Sequence, residues 1–317
     1  MIPSGGSAGS VKFARHDAAT ISAAVRGFSA HFGLRRVSSV CVLPLHHVSG
    51  FMAWMRSALT GGAFVPWSWK DLESGRFPGS MPDDACLSLV PTQLQRLLGS
   101  SAALEWLRRF RIIFVGGGPA RADLLDKAAR LRLPVSTGYG STETAAMAAA
   151  LLPERFLAGE RGCGKAMPHA KIDLVGGIVR VSGESIFRGY HPGHDGSATW
   201  LSGDEGTLDG EGRLQIIGRS DDVIVTGGKK VGASEVEAAL GASGLFEDVA
   251  VVGVPDPEWG ELVVACHPPG RSPSRSEVSA ALGSIASYKH PKRLVEISPW
   301  PRNAQGKMNR AELRRLA

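Results

Sequence analysis

The sequence predicts an α/β protein: a large N-terminal domain with a parallel, helix-covered sheet and an antiparallel β subdomain, followed by a small α+β C-terminal domain. Three observations carry this. Apolar runs of strand type alternate with helical periodicities up to residue 135, short alternating strands with turn residues begin at Lys171, and a fresh strand–helix–strand–helix unit starts after Asp222. At about 150 residues per domain, 317 residues suit one large domain or two unequal ones.

Residues 20–33 (TISAAVRGFSAHFG) space apolar positions as a helix does, and residues 37–45 form a continuous apolar run of buried-strand type. Residues 87–90 read as strand, 93–98 and 103–109 as helices, 112–115 as strand, 121–131 as helix and 133–136 as strand. Such βαβ order places ligands near the C-terminal ends of parallel strands. KIDLV, IVRVSG and LDGEGRLQIIG, with its Asp209-Gly210 turn, then read as antiparallel strands. In the last piece 223–226 is strand, 234–240 a helix with Ser234 as N-cap, 249–254 strand and 277–285 helix. The boundary falls between domains 1–220 and 221–317.

Lys plus Arg exceed Asp plus Glu by 36 − 30 = 6, and charged residues are 21%, which excludes a disordered polyelectrolyte. The basic residues are scattered rather than blocked, which argues against nucleic acid and for an anionic small molecule such as a nucleotide or a coenzyme A thioester. Glycine is 40 of 317 without a Gly-X-Y period, so the excess belongs to tight loops. Cys41, Cys86, Cys163 and Cys266 form no CxxC, which points to a reducing cytoplasm. The longest apolar run, 145–152, is too short for a transmembrane segment, and the start MIPSGGSAGS lacks a signal core.

Two glycine-containing motifs carry chemistry. In PSGGSAGSVK (3–12), the backbone around Ser4, Gly5, Gly6, Ser7 and Gly9 can wrap an anion while Lys12 adds charge, although such a start taken alone is more often a loose terminus. It is no Walker A loop, because no Gly-Lys-Ser/Thr step occurs. In GYGSTET (138–144), Tyr139 can stack a base, Thr142 can bind a phosphate oxygen and Glu143 can hold Mg²⁺; the bland alternative is a turn followed by an alanine-rich helix. His191 and His194 flank Pro192-Gly193 without a third ligand and are not read as a metal pair.

These motifs, with Leu201-Ser202-Gly203-Asp204, Gly218-Arg219-Ser220-Asp221-Asp222 and Pro301-Arg302-Asn303-Ala304-Gln305-Gly306-Lys307, resemble in order those of the adenylate-forming acyl-CoA synthetase and luciferase superfamily. The first resembles its TSGTTGxPK loop, with Gly5, Ala8 and Val11 departing from it; the others resemble its YGxTE, TGD, GRxDD and PRTxxGK. LPLHHVSG (43–50), LVPTQL (89–94) and Gly227-Gly228 are most similar to the o-succinylbenzoyl-CoA synthetase branch of menaquinone biosynthesis. Members carry a sizeable region before the phosphate loop, which here starts at residue 3, so the resemblance implies either an N-terminally short chain or an upstream start.

The resemblance implies a carboxylate–CoA ligase using ATP, Mg²⁺ and CoA through an acyl-adenylate. It implies catalytic roles for Lys307, which drives adenylation, for Mg²⁺-binding Glu143, and for His47 in the acyl pocket. ATP binding falls to Ser4, Gly5, Gly6, Ser7, Gly9, Lys12, Gly140 and Thr142, with Tyr139, Gly116 and Gly117 framing adenine, Asp204 on the ribose and Arg219 beside it. Asp221 is then the hinge of a swivelling, mobile C-terminal domain, and Gly227 and Gly228 leave room for the CoA pantetheine. The rival readings are a synthetase for another aryl or fatty acid, and a non-catalytic relative that binds nucleotide or acyl-AMP.

Overall fold

The computed structural model describes residues 1–4, 12–193, 196–302 and 308–317. Two compact units divide the chain, one of residues 1–202 and 206–216, the other of 203–205 and 217–317.

The first unit is built on a seven-stranded sheet in the order Phe64–Pro66, Ser39–Cys41, Cys86–Leu89, Ile112–Val115, Val135–Ser141, Ala146–Ala150, Lys165–Ala166. The first five are parallel, Ala146–Ala150 runs antiparallel to Val135–Ser141, and Lys165–Ala166 antiparallel to Ala146–Ala150. Ile112–Val115 shows why a continuous apolar run is required here. Ile113 and Val115 pack on one face with Leu94, Leu107 and Leu124, while Ile112 and Phe114 pack on the other with Phe28 and Phe32. Asp17 caps the helix Ala18–Phe32 by accepting from the Thr20 amide, and Gly33 closes it at φ 63°.

One prediction is corrected in this sheet, and the bland alternative for 138–144 is not found. Of the run 37–45 only Ser39–Cys41 is strand, because the chain then turns into the helix Val48–Thr60. The alanine-rich stretch is not a helix but the strand Ala146–Ala150, reversed onto Val135–Ser141 by Ala145 and Ala146 at φ 53° and 76°.

A four-stranded sheet follows in the order Ala170–Val175, Ile178–Gly183, Thr199–Leu208, Leu214–Arg219, as the alternating texture predicts. A third, small sheet orders Ile2–Ser4, Lys12–Ala14 and Tyr190–His191.

The second unit holds a five-stranded sheet in which Lys229–Gly232, Val223–Thr226, Gly260–His267 and Ala250–Asp256 run in order and Arg293–Glu296 pairs with Gly260–His267. Val251, Val263 and Ala265 pack on one face with Val236 and Leu240, and Ala250, Val252, Val264 and Cys266 on the other with Leu313. The helix predicted to start at Ser234 is Ala233–Ala242 with Gly232 at the cap position, so Ser234 lies inside it. The last predicted helix is Arg275–Ala281, closed at its start by a Ser274–Glu277 capping box.

Candidate functional site

Strand Val135–Ser141 ends beside Glu143, and its glycines are dictated by its neighbour. A β-carbon on Gly138 would lie 2.7 Å from the Ala149 carbonyl oxygen, and one on Gly140 1.8 Å from that of Ala146. Only glycine lets the alanine strand approach so closely, so Gly140 has a packing role whatever ligand it meets. The 3₁₀ turn Thr142–Thr144 is fixed by Ser141, whose hydroxyl accepts from the Glu143 amide at 3.2 Å, and by Thr144, whose hydroxyl oxygen accepts from the Ser141 amide at 2.9 Å.

This turn holds Glu143 almost fully buried, at 4% exposure. Its Oε1 accepts from the Ser4 hydroxyl at 2.6 Å and the Tyr190 hydroxyl at 2.7 Å, and its carbonyl accepts from the Phe187 amide at 2.9 Å. Among the described residues no Lys or Arg pairs with this carboxylate. Burial, and then the bond to Glu143, push the Tyr190 hydroxyl well above its ordinary pKa, so it stays a donor. His16 Nε2 donates to the Thr142 carbonyl at 2.7 Å, and burial holds this imidazole below its usual pKa. Tyr190 and His16 are the members of the site that the sequence reading missed; a tyrosine in a GYHPG loop and a histidine before a helix cap carry no local signal of it.

Of the phosphate-loop candidates, the small sheet brings Ser4 and Lys12 here. Ser4, whose hydroxyl reaches Glu143, pairs with Lys12, and Tyr190 pairs with Ala14 on the other edge of the sheet. Lys12 Nζ stands 5.5 Å from the centre of the Tyr190 ring. Gly5, Gly6, Ser7, Gly9, His194 and Lys307 lie outside the described residues.

Gly116 and Gly117 follow Ile112–Val115 at its C-terminal end, where Gly117 turns at φ 83° and a β-carbon on Gly116 would meet nothing within 4 Å. Tyr139 is 8% exposed and packs with Ala14, Ala148 and Val179. A ring so covered supplies apolar packing, and as a base platform it would first have to be uncovered. His47 is half-buried at the start of Val48–Thr60 against His46, and Gly50 is required because a β-carbon would lie 2.3 Å from the Pro44 carbonyl oxygen.

In the second unit Arg219 makes two 2.7 Å bonds to Asp221 and approaches Asp204 at 3.4 Å. The pair with Arg219 holds the Asp221 carboxyl below its usual pKa. Gly203 leaves room for this guanidinium, since a β-carbon there would lie 2.5 Å from Arg219 Nη2. Gly227 and Gly228, at φ 54° and 73°, form the two-residue turn between Val223–Thr226 and Lys229–Gly232, a geometry that demands positive φ at both positions. Arg310 joins Glu237 through two 2.7 Å bonds and Asp222 at 3.0 Å.

The described residues contain no group of three or more His, Cys, Asp or Glu side chains suited to a metal. Glu143 alone, with neutral donors on one oxygen, fits an ion that takes a single protein carboxylate and completes its shell with phosphate and water oxygens, as Mg²⁺ does.

The AMP-binding enzyme family matches residues 1–191, and the AMP-binding enzyme C-terminal domain matches residues 235–307. The chain belongs to the AMP-binding enzyme family. Within this family it is 31% identical over 286 residues to a 2-succinylbenzoate–CoA ligase of Oceanobacillus iheyensis, covering 86% of this chain and 60% of that protein. It is 33% identical over 299 residues to an indoleacetate–CoA ligase of Aromatoleum aromaticum, covering 86% and 58%. The o-succinylbenzoate CoA synthetase of Bacillus subtilis, solved with its acyl-adenylate intermediate, superposes with a TM-score of 0.86 at 26% identity over 98% of this chain and 68% of that one. The chain thus spans about 60% of the length of the curated relatives it matches. None of its described helices is long and apolar enough to cross a membrane.

Proposed function

We propose that this AMP-binding family member is a cytoplasmic, ATP-dependent carboxylate–CoA ligase, with o-succinylbenzoate as the acid. The observation that carries the reading is Glu143, a buried carboxylate beyond the end of a parallel strand whose only side-chain partners among the described residues are neutral hydroxyls. Its charge is left for a cation. The ordered motifs and the names of the similar ligases supply the rest.

A carboxylate acylates poorly, so the acid oxygen attacks the α-phosphorus of ATP, pyrophosphate leaves, and the mixed anhydride then yields to the CoA thiolate with loss of AMP. Mg²⁺ held by Glu143 would neutralise triphosphate charge. Lys12, Thr142 and the loop from Ser4 through Gly5, Gly6, Ser7 and Gly9 orient the phosphates. Lys307 stabilises the charge developing on the α-phosphate. Asp204 accepts from the ribose hydroxyls with Arg219 beside it, Gly116 and Gly117 take the adenine side with Tyr139 packed behind as apolar support, and His47 lines the acyl pocket. Asp221 is the hinge used between the half-reactions, and the Gly227-Gly228 turn leaves space for pantetheine.

A second reading rests on the indoleacetate–CoA ligase, whose identity to this chain slightly exceeds that of the succinylbenzoate ligases. The purified chain should therefore be given ATP, Mg²⁺ and CoA with o-succinylbenzoate, indole-3-acetate, benzoate or a medium-chain fatty acid in turn, and AMP release followed. Highest kcat/KM with o-succinylbenzoate is expected. Preference for another acid reassigns the substrate, and ATP binding without turnover of any acid favours a non-catalytic binder.

A further inference from the structure

Glu143 is gripped on one side only. Both hydroxyls reach the same oxygen, Oε1, at 2.6 and 2.7 Å, and Oε2 receives no hydrogen bond among the described residues. A carboxylate offers about four acceptor positions over its two oxygens, so the two donors fill one oxygen and leave the other unspent. The donors come from distant places. Ser4 ends the first strand of the small sheet, and Tyr190 is fixed by its pairing with Ala14 and by the Phe187 ring 4.8 Å away. The Phe187 amide also holds the Glu143 carbonyl, so the 187–190 segment grips this residue at backbone and side chain together.

We propose that Tyr190 is a positioning residue for Glu143: with Ser4 it occupies Oε1, turning Oε2 toward the cation that accompanies the nucleotide, while its ring seats the Lys12 ammonium. The inference rests on the nucleotide reading above and adds to it a division of labour within one side chain. The hydroxyl serves the carboxylate and the ring face serves Lys12, 5.5 Å from its centre. A phenylalanine separates the two, because it keeps the ring and removes only the O–H.

The test is calorimetric and needs no turnover: ATP binding to the full chain is measured with Mg²⁺ and with EDTA. In Tyr190→Phe the affinity gain due to Mg²⁺ is expected to shrink about tenfold, the scale of one lost hydrogen bond to a charged group, while affinity in EDTA is unchanged. Ser4→Ala, which removes the other donor, should shrink the same gain, and Tyr190→Leu should also weaken binding in EDTA. Equal loss of affinity in both buffers, or a Mg²⁺ gain that survives Tyr190→Phe and Ser4→Ala but disappears in Glu143→Gln, overturns the positioning role alone. A chain whose unmodified form gains nothing from Mg²⁺ overturns the nucleotide reading, and this inference with it.

Discussion

The imidazole of His169 occupies the space that a side chain on Gly27 would need: a β-carbon built at Gly27 would stand 1.9 Å from Nδ1 and 2.6 Å from Cγ. This explains a glycine in the middle of helix Ala18–Phe32, where glycine costs about 1 kcal/mol relative to alanine. The ring is buried, and Nε2 donates to the Met147 carbonyl at 3.0 Å.

Gly27→Ala is therefore expected to destabilise the fold by about 1–3 kcal/mol through overpacking, despite the better helix former. Urea unfolding measures it. A variant as stable as the unmodified chain would mean that the ring moves aside freely.

Burial lowers the His169 pKa from its ordinary 6.5 to about 4, so the unfolded chain binds this proton first as pH falls. The stability tied to it is full above pH 6.5 and is lost between there and pH 4, a change on the order of 3 kcal/mol. His169→Gln, which retains a donor for Met147 and cannot titrate, should flatten the fall in Tm over that range.

Arg310 and Glu237 are a half-buried pair, and desolvation raises the Glu237 pKa even against the guanidinium. Arg310→Leu leaves that carboxylate without its guanidinium and is expected to cost about 1–3 kcal/mol, whereas adding Glu237→Leu should recover part of the loss, Asp222 still lacking its partner. Denaturant unfolding of the single and double variants distinguishes a paired charge from mere packing.

Two substitutions at Asp221 separate its charge from its backbone. Its carboxyl is held below the usual range by Arg219, so its contribution is present above that range and disappears as pH falls through the lowered value. Asp221→Asn should lower Tm near neutral pH and match the unmodified chain in strong acid. Asp221→Pro, which fixes φ near −65°, should let adenylate form yet block transfer to CoA if this residue is the hinge. Unimpaired acyl-CoA formation by the proline variant removes that role.

Lys307→Ala is expected to slow adenylation at least about 100-fold, as loss of a transition-state charge partner does, while sparing thioester formation from supplied acyl-adenylate. Pyrophosphate exchange and CoA consumption read the two steps separately, and equal loss in both would assign Lys307 another task.

Local pattern made much of this fold legible. Ile112–Val115 and Val223–Thr226 fall where apolar runs place them: all four residues of the first are buried, and in the second Ile224 and Thr226 face inward while Val225 is exposed. The alanine run misleads because its helical composition serves another purpose: small side chains let Ala146–Ala150 lie against Gly138 and Gly140. Glu143 is visible from its motif, but its partners stand 139 and 47 residues away in sequence and obey no spacing rule. Gly227-Gly228 reads as a space for a ligand and is also a turn with an obligatory backbone conformation.

The threading of the small sheet also sets a timetable. Lys12–Ala14 is synthesised well before one of its two neighbours, Tyr190–His191, which follows it by more than half the length of this sequence. Until then the nascent polypeptide carries an open strand edge, able to pair wrongly with any extended segment nearby, and Glu143 is without its tyrosine. The strands of residues 217–317, by contrast, find their partners within a short stretch of sequence. Birth order thus makes the small sheet the part most dependent on protection during synthesis, and the sheet of residues 217–317 the part whose strands can pair soon after they emerge.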